Sequence, residues 1–457
     1  MALELGAFDF VNLLVGFLGA TIFLGFLGAW FYQKTKIPDV ILLILFGVLV
    51  GPVLGVFTGI DLSPMTPIIG TFALIVIVFE GGAKLNFLNV LKEIGESSAF
   101  TIAVTLLTVF FTVIAIFILG IVIPDLGISL IAALLLGVIV AGSSYEIIVP
   151  VLSKMKVEPA AKTLLNLEPA LNSALTIVAA IAILKFMQIA QIEGLGLESF
   201  DLLGFMGDIT AAFAVAIVVG AIVAFIWVQV LKRLSGKPFA YLLTMACVFV
   251  LYAVAQILGG DGITTILVFG LFLGNYGFIA RAFGFEEYFK MDYNLISFQT
   301  EVSFFVRTVF FVYLGLIITI SGLAGPALLV GVVLFIIIIF ARYIATKVLV
   351  DTNKNLQPSW LTIFVMMPRG LTTAALASLP IMIGLTALSN SFTNIVVVVI
   401  LLTNLAFAFA VFMLGMVGGK KDITIEELKT VGGKEVAVKI SNDTEVSKPT
   451  KEAKTGK

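Results

Sequence analysis

Val140-Ala141-Gly142-Ser143-Ser144-Tyr145-Glu146 interrupts an apolar run that extends over residues 127–153. A second run, 358–384, is interrupted at Met366-Met367-Pro368-Arg369-Gly370. The two breaks fall at the offset set by another pair of motifs. Phe46-Gly47-Val48-Leu49-Val50-Gly51 and Phe269-Gly270-Leu271-Phe272-Leu273-Gly274 share the pattern F-G-x-x-x-G, 223 residues apart. Adding 223 to Ser143 and Tyr145 lands on Met366 and Pro368. Read alone, each glycine motif is a common device for packing apolar helices closely. The shared offset predicts an internal repeat instead.

The surrounding composition says what is repeated. Of the 457 residues, 60% are hydrophobic and only 12% are charged, against roughly 25% charged in a soluble domain. Mean hydropathy is +1.18. So few charges exclude a water-facing globular surface and also exclude disorder, which needs the opposite balance. A spanning helix takes about 20 apolar residues. Thirteen apolar segments are legible, near 9–32, 39–57, 66–83, 97–123, 127–153, 159–185, 204–231, 238–258, 262–280, 293–321, 325–349, 358–384 and 390–418. The expected fold is an all-α polytopic membrane protein of about 13 transmembrane helices. A membrane domain covers 1–419, and residues 420–457 form a short, polar, Lys-rich tail. The repeated segments lie seven spans apart. That number is odd, so the two halves have inverted topology. Inverted repeats with paired, discontinuous helices point to a secondary transporter whose site lies near the bilayer midplane.

The basic residues sort by side. Lys34, Lys36, Lys84, Lys92, Lys154, Lys156, Lys162, Lys232, Arg233, Lys237, Arg281, Lys290, Arg342, Lys347 and Lys354 fall in or beside alternate connections, followed by Lys420 and Lys421 in the tail. The other connections, around Asp61, Asp125, Glu193–Asp201, Gly259 and Gly322, hold essentially none beyond Lys185 at a span edge. The positive-inside rule then places the N-terminus outside and the C-terminus in the cytoplasm of a cell membrane. The N-terminus has no basic region or small-residue cleavage site, so no removable signal peptide is expected. The chain has no His and a single Cys, Cys247. Cys/His metal sites and internal disulfides are excluded, and proton chemistry falls to carboxylates, Lys or water.

A charge within a span costs roughly 2.5–3.5 kcal/mol on insertion scales and marks function by default. Glu80, Glu146, Glu168, Glu301, Arg307 and Arg369 lie well inside spans, while Asp208 and Arg342 read as interfacial. Glu168, Asn172 and Thr176 recur every four residues and share one helix face. Ser143 and Ser144 add hydroxyls at the first break, where unwound backbone frees carbonyls for a cation. Arg369 in the opposite break either neutralises helix C-terminal ends or meets an anion at the N-terminal ends. Arg307 needs an acidic partner, with Glu168, Glu80 and Glu301 as candidates. A Glu168–Arg307 pair either holds helices together or opens when an ion arrives. Glu80, near the cytoplasmic end of the third span, reads as structural or as part of a cytoplasmic funnel.

In this arrangement the sequence resembles the monovalent cation:proton antiporter superfamily, especially its sodium/proton exchangers. The resemblance covers roughly residues 9–418 and rests on several motifs in order. These are Phe-Glu-Gly-Gly at Phe79–Gly82, Glu168-x-x-x-Asn172, the stretch Gly270–Asn275, Arg307 within its aromatic context, and Arg369-Gly370 followed by Leu-Thr-Thr-Ala. It implies two crossing broken helices, a core and a dimerisation domain, elevator-like alternating access, and a homodimer. It also implies an Asp after the Asn that binds either the cation or a proton. Here that position is Ser173, and the family's Thr-Asp-Pro in the first broken helix is Ser143-Ser144-Tyr145.

A serine hydroxyl ligates Na⁺ or K⁺ but does not titrate near neutrality. The exchanged proton must therefore ride on another group, and Glu146 and Glu168 are the available carboxylates. Burial disfavours their charged form and a neighbouring Arg favours it, so a Glu released from its Arg is a protonation switch. The expected activity is exchange of a monovalent cation, Na⁺ or K⁺, for protons. Ser143, Ser144, Glu146, Glu168, Asn172 and Ser173 form the ion site, with Arg307 and Arg369 as its charge partners. The alternatives are an uncoupled cation channel or uniporter, a carrier of another ion on the same scaffold, and a non-transporting sensor. No cofactor, no metal beyond the transported cation and no nucleic-acid partner is expected. Without His no nucleophile–base set is visible, so an enzyme is not expected.

Overall fold

The computed structural model describes residues 7–35, 37–57, 62, 65–84, 94–123, 128–153, 155, 157–193, 202–234, 237, 239–282, 293–318, 325–418, 425–431 and 434–440. In hydrocarbon every backbone N–H and C=O must be satisfied without water, so apolar runs become helices. Ten described helices are long and apolar enough to cross a membrane. Three shorter apolar helices, Asp39–Val53, Gly262–Gly274 and Leu371–Ile381, stand at the second, ninth and twelfth expected segments. Each of the thirteen segments therefore carries a helix. The loop residues Lys36, Lys92, Lys154, Lys156, Lys290, Lys420 and Lys421, with Asp61, Asp125 and residues 194–201, lie outside the described residues, as does the side chain of Asp208.

The helices are α1 (Ala7–Thr35), α2 (Asp39–Val48, extended by a π-helical turn over Leu49–Val53), α3 (Thr66–Lys84) and α4 (Ile94–Val122). The fifth span is split into α5 (Leu130–Ala141) and α6 (Tyr145–Leu152), and α7 covers Pro159–Glu193. Next come α8 (Leu202–Leu234), α9 (Ala240–Ile257), α10 (Gly262–Gly274), α11 (Tyr276–Ala282), α12 (Tyr293–Ile317) and α13 (Pro326–Thr352). The twelfth span is split into α14 (Trp360–Val365) and α15 (Leu371–Ser378), and α16 covers Thr386–Gly418. Local chemistry sets several starts. The Ser129 hydroxyl accepts from the Ala132 N–H at the head of α5, and the Asp261 carboxylate caps α10 through Thr264 N–H.

Packing sorts these helices into two sets. One contains α1, α2, α3, α8, α9, α10 and α12; the other contains α4, α5, α6, α7, α13, α14 and α15. Most of the seam between them is α3, which packs on α10 and α12 in its own set and on α15 and α7 in the other.

The inverted repeat is visible in this packing. Gly47 and Gly51 of α2 lie against the backbone of α12 at Val312, Gly315 and Leu316; a Cβ on Gly51 would sit 2.9 Å from the Leu316 carbonyl oxygen. Gly270 and Gly274 of α10 lie against α3, and a Cβ on Gly270 would sit 2.7 Å from the Phe79 carbonyl oxygen. The second and ninth spans thus cross the tenth and third in the same way, as a seven-span repeat requires.

The tail holds a structure that the sequence reading did not anticipate. Strands β1 (Ile425–Val431) and β2 (Lys434–Ile440) pair antiparallel, with Ile425 opposite Ile440 and Val431 opposite Lys434. The missed signals are the alternation in Val436-Ala437-Val438-Lys439-Ile440 and the Gly432-Gly433 dipeptide, which suits a two-residue hairpin turn.

The close crossings yield a stability prediction. Gly47→Ala forces backbone against backbone and costs about 1–3 kcal/mol by overpacking, which lowers the thermal midpoint in detergent. Gly19→Ala, where no atom lies within 4 Å of the added Cβ, leaves the midpoint unchanged.

Candidate ion-binding site at the crossed breaks

The helix stops at Ala141 because Gly142 and Ser144 are extended, with ψ of 128° and 106°. The opposite break contains Pro368, which has no N–H and turns the preceding residue away from helical angles. The backbone groups freed by each break are met by the other. Ser144 N–H donates to the Pro368 carbonyl at 3.0 Å, and the Thr373 hydroxyl donates to the Gly142 carbonyl at 3.2 Å. Only glycine fits at 370, since a Cβ there would lie 2.8 Å from the Cβ of Ser144. From α16, Asn404 Nδ2 donates to the Arg369 carbonyl at 2.7 Å, and Arg369 N–H donates to Thr403 Oγ1 at 3.3 Å.

Four of the six expected ion-site residues are hydrogen-bonded to one another around the first break. Ser143 N–H donates to Asn172 Oδ1 at 3.1 Å, and Ser143 Oγ donates to Glu168 Oε1 at 2.9 Å. Ser173 Oγ donates to the Ser143 carbonyl at 3.3 Å. Asn172 Nδ2 donates to Thr105 Oγ1 of α4 at 3.3 Å. Ser144 is tied instead to the opposite break, through its backbone bond to Pro368. The shared face of α7 continues with Thr176, whose hydroxyl donates to the Asn172 carbonyl at 2.9 Å.

Glu168 and Glu146 part ways. The Glu168 carboxylate is fully buried and takes bonds from Arg342 Nη1 at 3.2 Å and Nη2 at 3.4 Å. Arg342 Nε donates to the Ile363 carbonyl at 3.0 Å, so the guanidinium is held from both sides. Arg342 is thus not interfacial as expected. Helix α13 runs on to Thr352, ten residues past Arg342, which sets the side chain deep in the packed core. The expected Glu168–Arg307 pair is not formed: Glu168 is taken by Arg342, and Arg307 by Glu146 and Asp39.

Arg307 instead donates through Nη1 to Glu146 Oε2 at 3.0 Å and through Nη2 to Asp39 Oδ2 at 3.2 Å. Its other two expected partners are engaged elsewhere or turned away. Glu80 is ion-paired with Lys84 one helical turn on, and Glu301 lies on the exposed surface of α12. Asp39 was missed by the sequence reading because it opens an apolar segment after Pro38, where an acidic residue passes for an ordinary helix-start charge.

A cavity of about 70 Å³ opens beside the break and has room for a few water molecules. Its polar lining is Glu80, Lys84, Ser144, Tyr145, Glu146, Ser173 and Thr372. Ser143, Glu168 and Asn172 sit behind it, almost wholly buried. Arg369 is also fully buried, and among the described residues its guanidinium nitrogens have no hydrogen-bond partner; its charged neighbours are Arg342 and Glu168. The cavity wall offers a cation the Glu146 carboxylate and the hydroxyls of Ser144, Ser173 and Thr372, with Glu80 already paired to Lys84.

Comparison with known proteins identifies the family and the fold. Residues 20–416 match the family described as sodium/hydrogen exchanger, transmembrane. The chain is 28% identical over 388 residues to Na⁺/H⁺ antiporter 1 of Methanocaldococcus jannaschii, covering 82% of this chain and 84% of that protein. It is 26% identical over 382 residues to the probable Na⁺/H⁺ antiporter 2 of the same organism, covering 81% and 85%. The solved structure of the sodium proton antiporter MjNhaP1 from M. jannaschii at pH 8 has the same fold, with a TM-score of 0.69 at 24% identity over 86% of this chain and 98% of that one. With its inverted repeat, its crossed broken helices and a match running through nearly all of its spans, the chain belongs to the sodium/hydrogen exchanger family of membrane transporters.

Proposed function

We propose that this protein exchanges a monovalent cation, Na⁺ or K⁺, for protons, with Glu146 as the exchanged carboxylate. The observation that carries this reading is the division of the two glutamates. Glu146 lines the cavity together with Ser144 and Ser173, whereas Glu168 is sealed against Arg342. A cation in the cavity takes the Glu146 carboxylate and the two hydroxyls as ligands. A proton on the same carboxylate removes the charge that holds the cation. Occupancy by one excludes the other, and that exclusion couples the two fluxes. Ser173 supplies a neutral ligand where the family resemblance implies an Asp, so the titrating group moves from α7 to α6. Glu80 and Lys84 set the field at the cavity wall, and Arg369 balances charge in the opposite break.

The same reading includes a homodimer in the lipid bilayer, a transport domain over 1–419 and a cytoplasmic tail over 420–457. It puts the N-terminus outside, which the sorting of Lys and Arg by side supports.

Purified protein in proteoliposomes tests the exchange. With a pH gradient imposed and voltage clamped, adding Na⁺, K⁺ and Li⁺ in turn collapses the gradient with Na⁺ or K⁺, and Glu146→Gln reduces that collapse to the level of empty vesicles. Cation flux without proton movement would instead identify an uncoupled uniporter and overturn the proposal. Glu168→Gln behaves differently. Leaving Arg342 as a buried unpaired charge destabilises the fold by about 3–5 kcal/mol, which is read as a lowered thermal midpoint in detergent, while Glu146→Gln keeps a midpoint near that of the unaltered protein.

A further inference from the structure

Among the described residues, Glu146–Arg307 is the ion pair that joins the two helix sets: Glu146 lies on α6 and Arg307 on α12. The other nitrogen of the same guanidinium is held by Asp39 on α2. Helices α2 and α12 cross with backbones in contact at Gly47 and Gly315, so Asp39 and Arg307 are fixed to one rigid unit. Arg307 is therefore anchored at home by Asp39 and reaches across to Glu146. The Tyr32 hydroxyl makes a second link over the same seam, donating to the Ile147 carbonyl at 3.1 Å.

The charged groups around the pair are few. Glu146 faces Arg307 from α12 and Glu80 and Lys84 from α3. Arg307 faces Asp39, Glu146 and Glu80. Tyr32 of α1 stands beside Asp39 and Arg307.

We propose that Asp39 is a positioning residue for cation binding, acting through Arg307. In this role it shares the guanidinium with Glu146. A transported cation arriving at Glu146 competes with one nitrogen of an arginine that already has a second carboxylate, not with a whole unshared counter-charge. When Glu146 is taken by the cation, Asp39 keeps Arg307 on the first helix set and out of the cavity. The fork matters, because Nη1 and Nη2 each serve a different carboxylate. A lysine carries the charge without that geometry. This proposal rests on Glu146 being the exchanged carboxylate.

The test is the cation dependence of exchange in proteoliposomes of the full chain. Asp39→Asn leaves Arg307 to Glu146 alone, and the KM for the transported cation, Na⁺ or K⁺, rises about tenfold with a smaller change in maximal rate. Arg307→Lys raises KM in the same direction. In an Arg307→Gln background, Asp39→Asn has no further effect, because its action runs through Arg307. Asp39→Glu restores KM toward the original value. An unchanged KM in Asp39→Asn, or an Asp39→Asn effect that persists with Arg307→Gln, overturns the proposal. If Glu146→Gln still exchanges, the underlying reading has failed. If Glu146→Gln is inactive and Asp39→Asn is neutral, only the role of Asp39 has.

Discussion

A helix broken inside a membrane exposes backbone donors and acceptors where no water is available to meet them. Here two breaks are brought together so that each answers the other, through Ser144 N–H on the Pro368 carbonyl and Thr373 on the Gly142 carbonyl. Neighbouring helices meet what is left. Asn172 takes the Ser143 N–H, and Thr403 and Asn404 take the backbone of Arg369. The need to satisfy these groups explains why polar side chains cluster on α7 and α16 at one depth, and why Gly370 has no side chain. Once the crossing is built, Ser144 and Ser173 line a cavity at little further energetic cost.

The charges form two layers with different physics. In the inner layer Glu168 and Arg342 are buried together, with the remaining lone pairs and protons used by Ser143 and Ile363. Such a pair adds little net stability against an apolar equivalent, but losing one member is severe, so it acts as a fixed support for Ser143. In the outer layer Glu146 and Arg307 are each about one-fifth exposed beside the cavity, where ions and water have access. A carboxylate used for exchange has to release its partner, and only the outer layer permits that.

Much of the architecture was legible in the chain. The run 127–153 with its break at Gly142–Tyr145, the partner break at Pro368-Arg369-Gly370 and the glycine motifs at one offset announced an inverted repeat. In the structure those glycines make equivalent crossings on α12 and α3. Ser143, Asn172 and Ser173 lie together at the first break. The charge pairings were not legible. Arg342 read as interfacial, Asp39 was not singled out, and Arg307 was expected to face Glu168, Glu80 or Glu301. The hairpin at 425–440 passed as a plain polar tail.

The physical reason lies in the range of each interaction. Hydropathy, helix breaking and four-residue periodicity are properties of neighbouring residues, so the sequence by itself determined the thirteen segments, the two interruptions and the polar face of α7. Which carboxylate meets which guanidinium depends on helix rotation and depth across separations of 174 residues for Glu168 and Arg342 and 268 for Asp39 and Arg307. No local pattern encodes those. Tertiary packing alone decided that Glu168 is sealed, that Glu146 faces the cavity, and that one arginine is divided between two carboxylates on different helix sets.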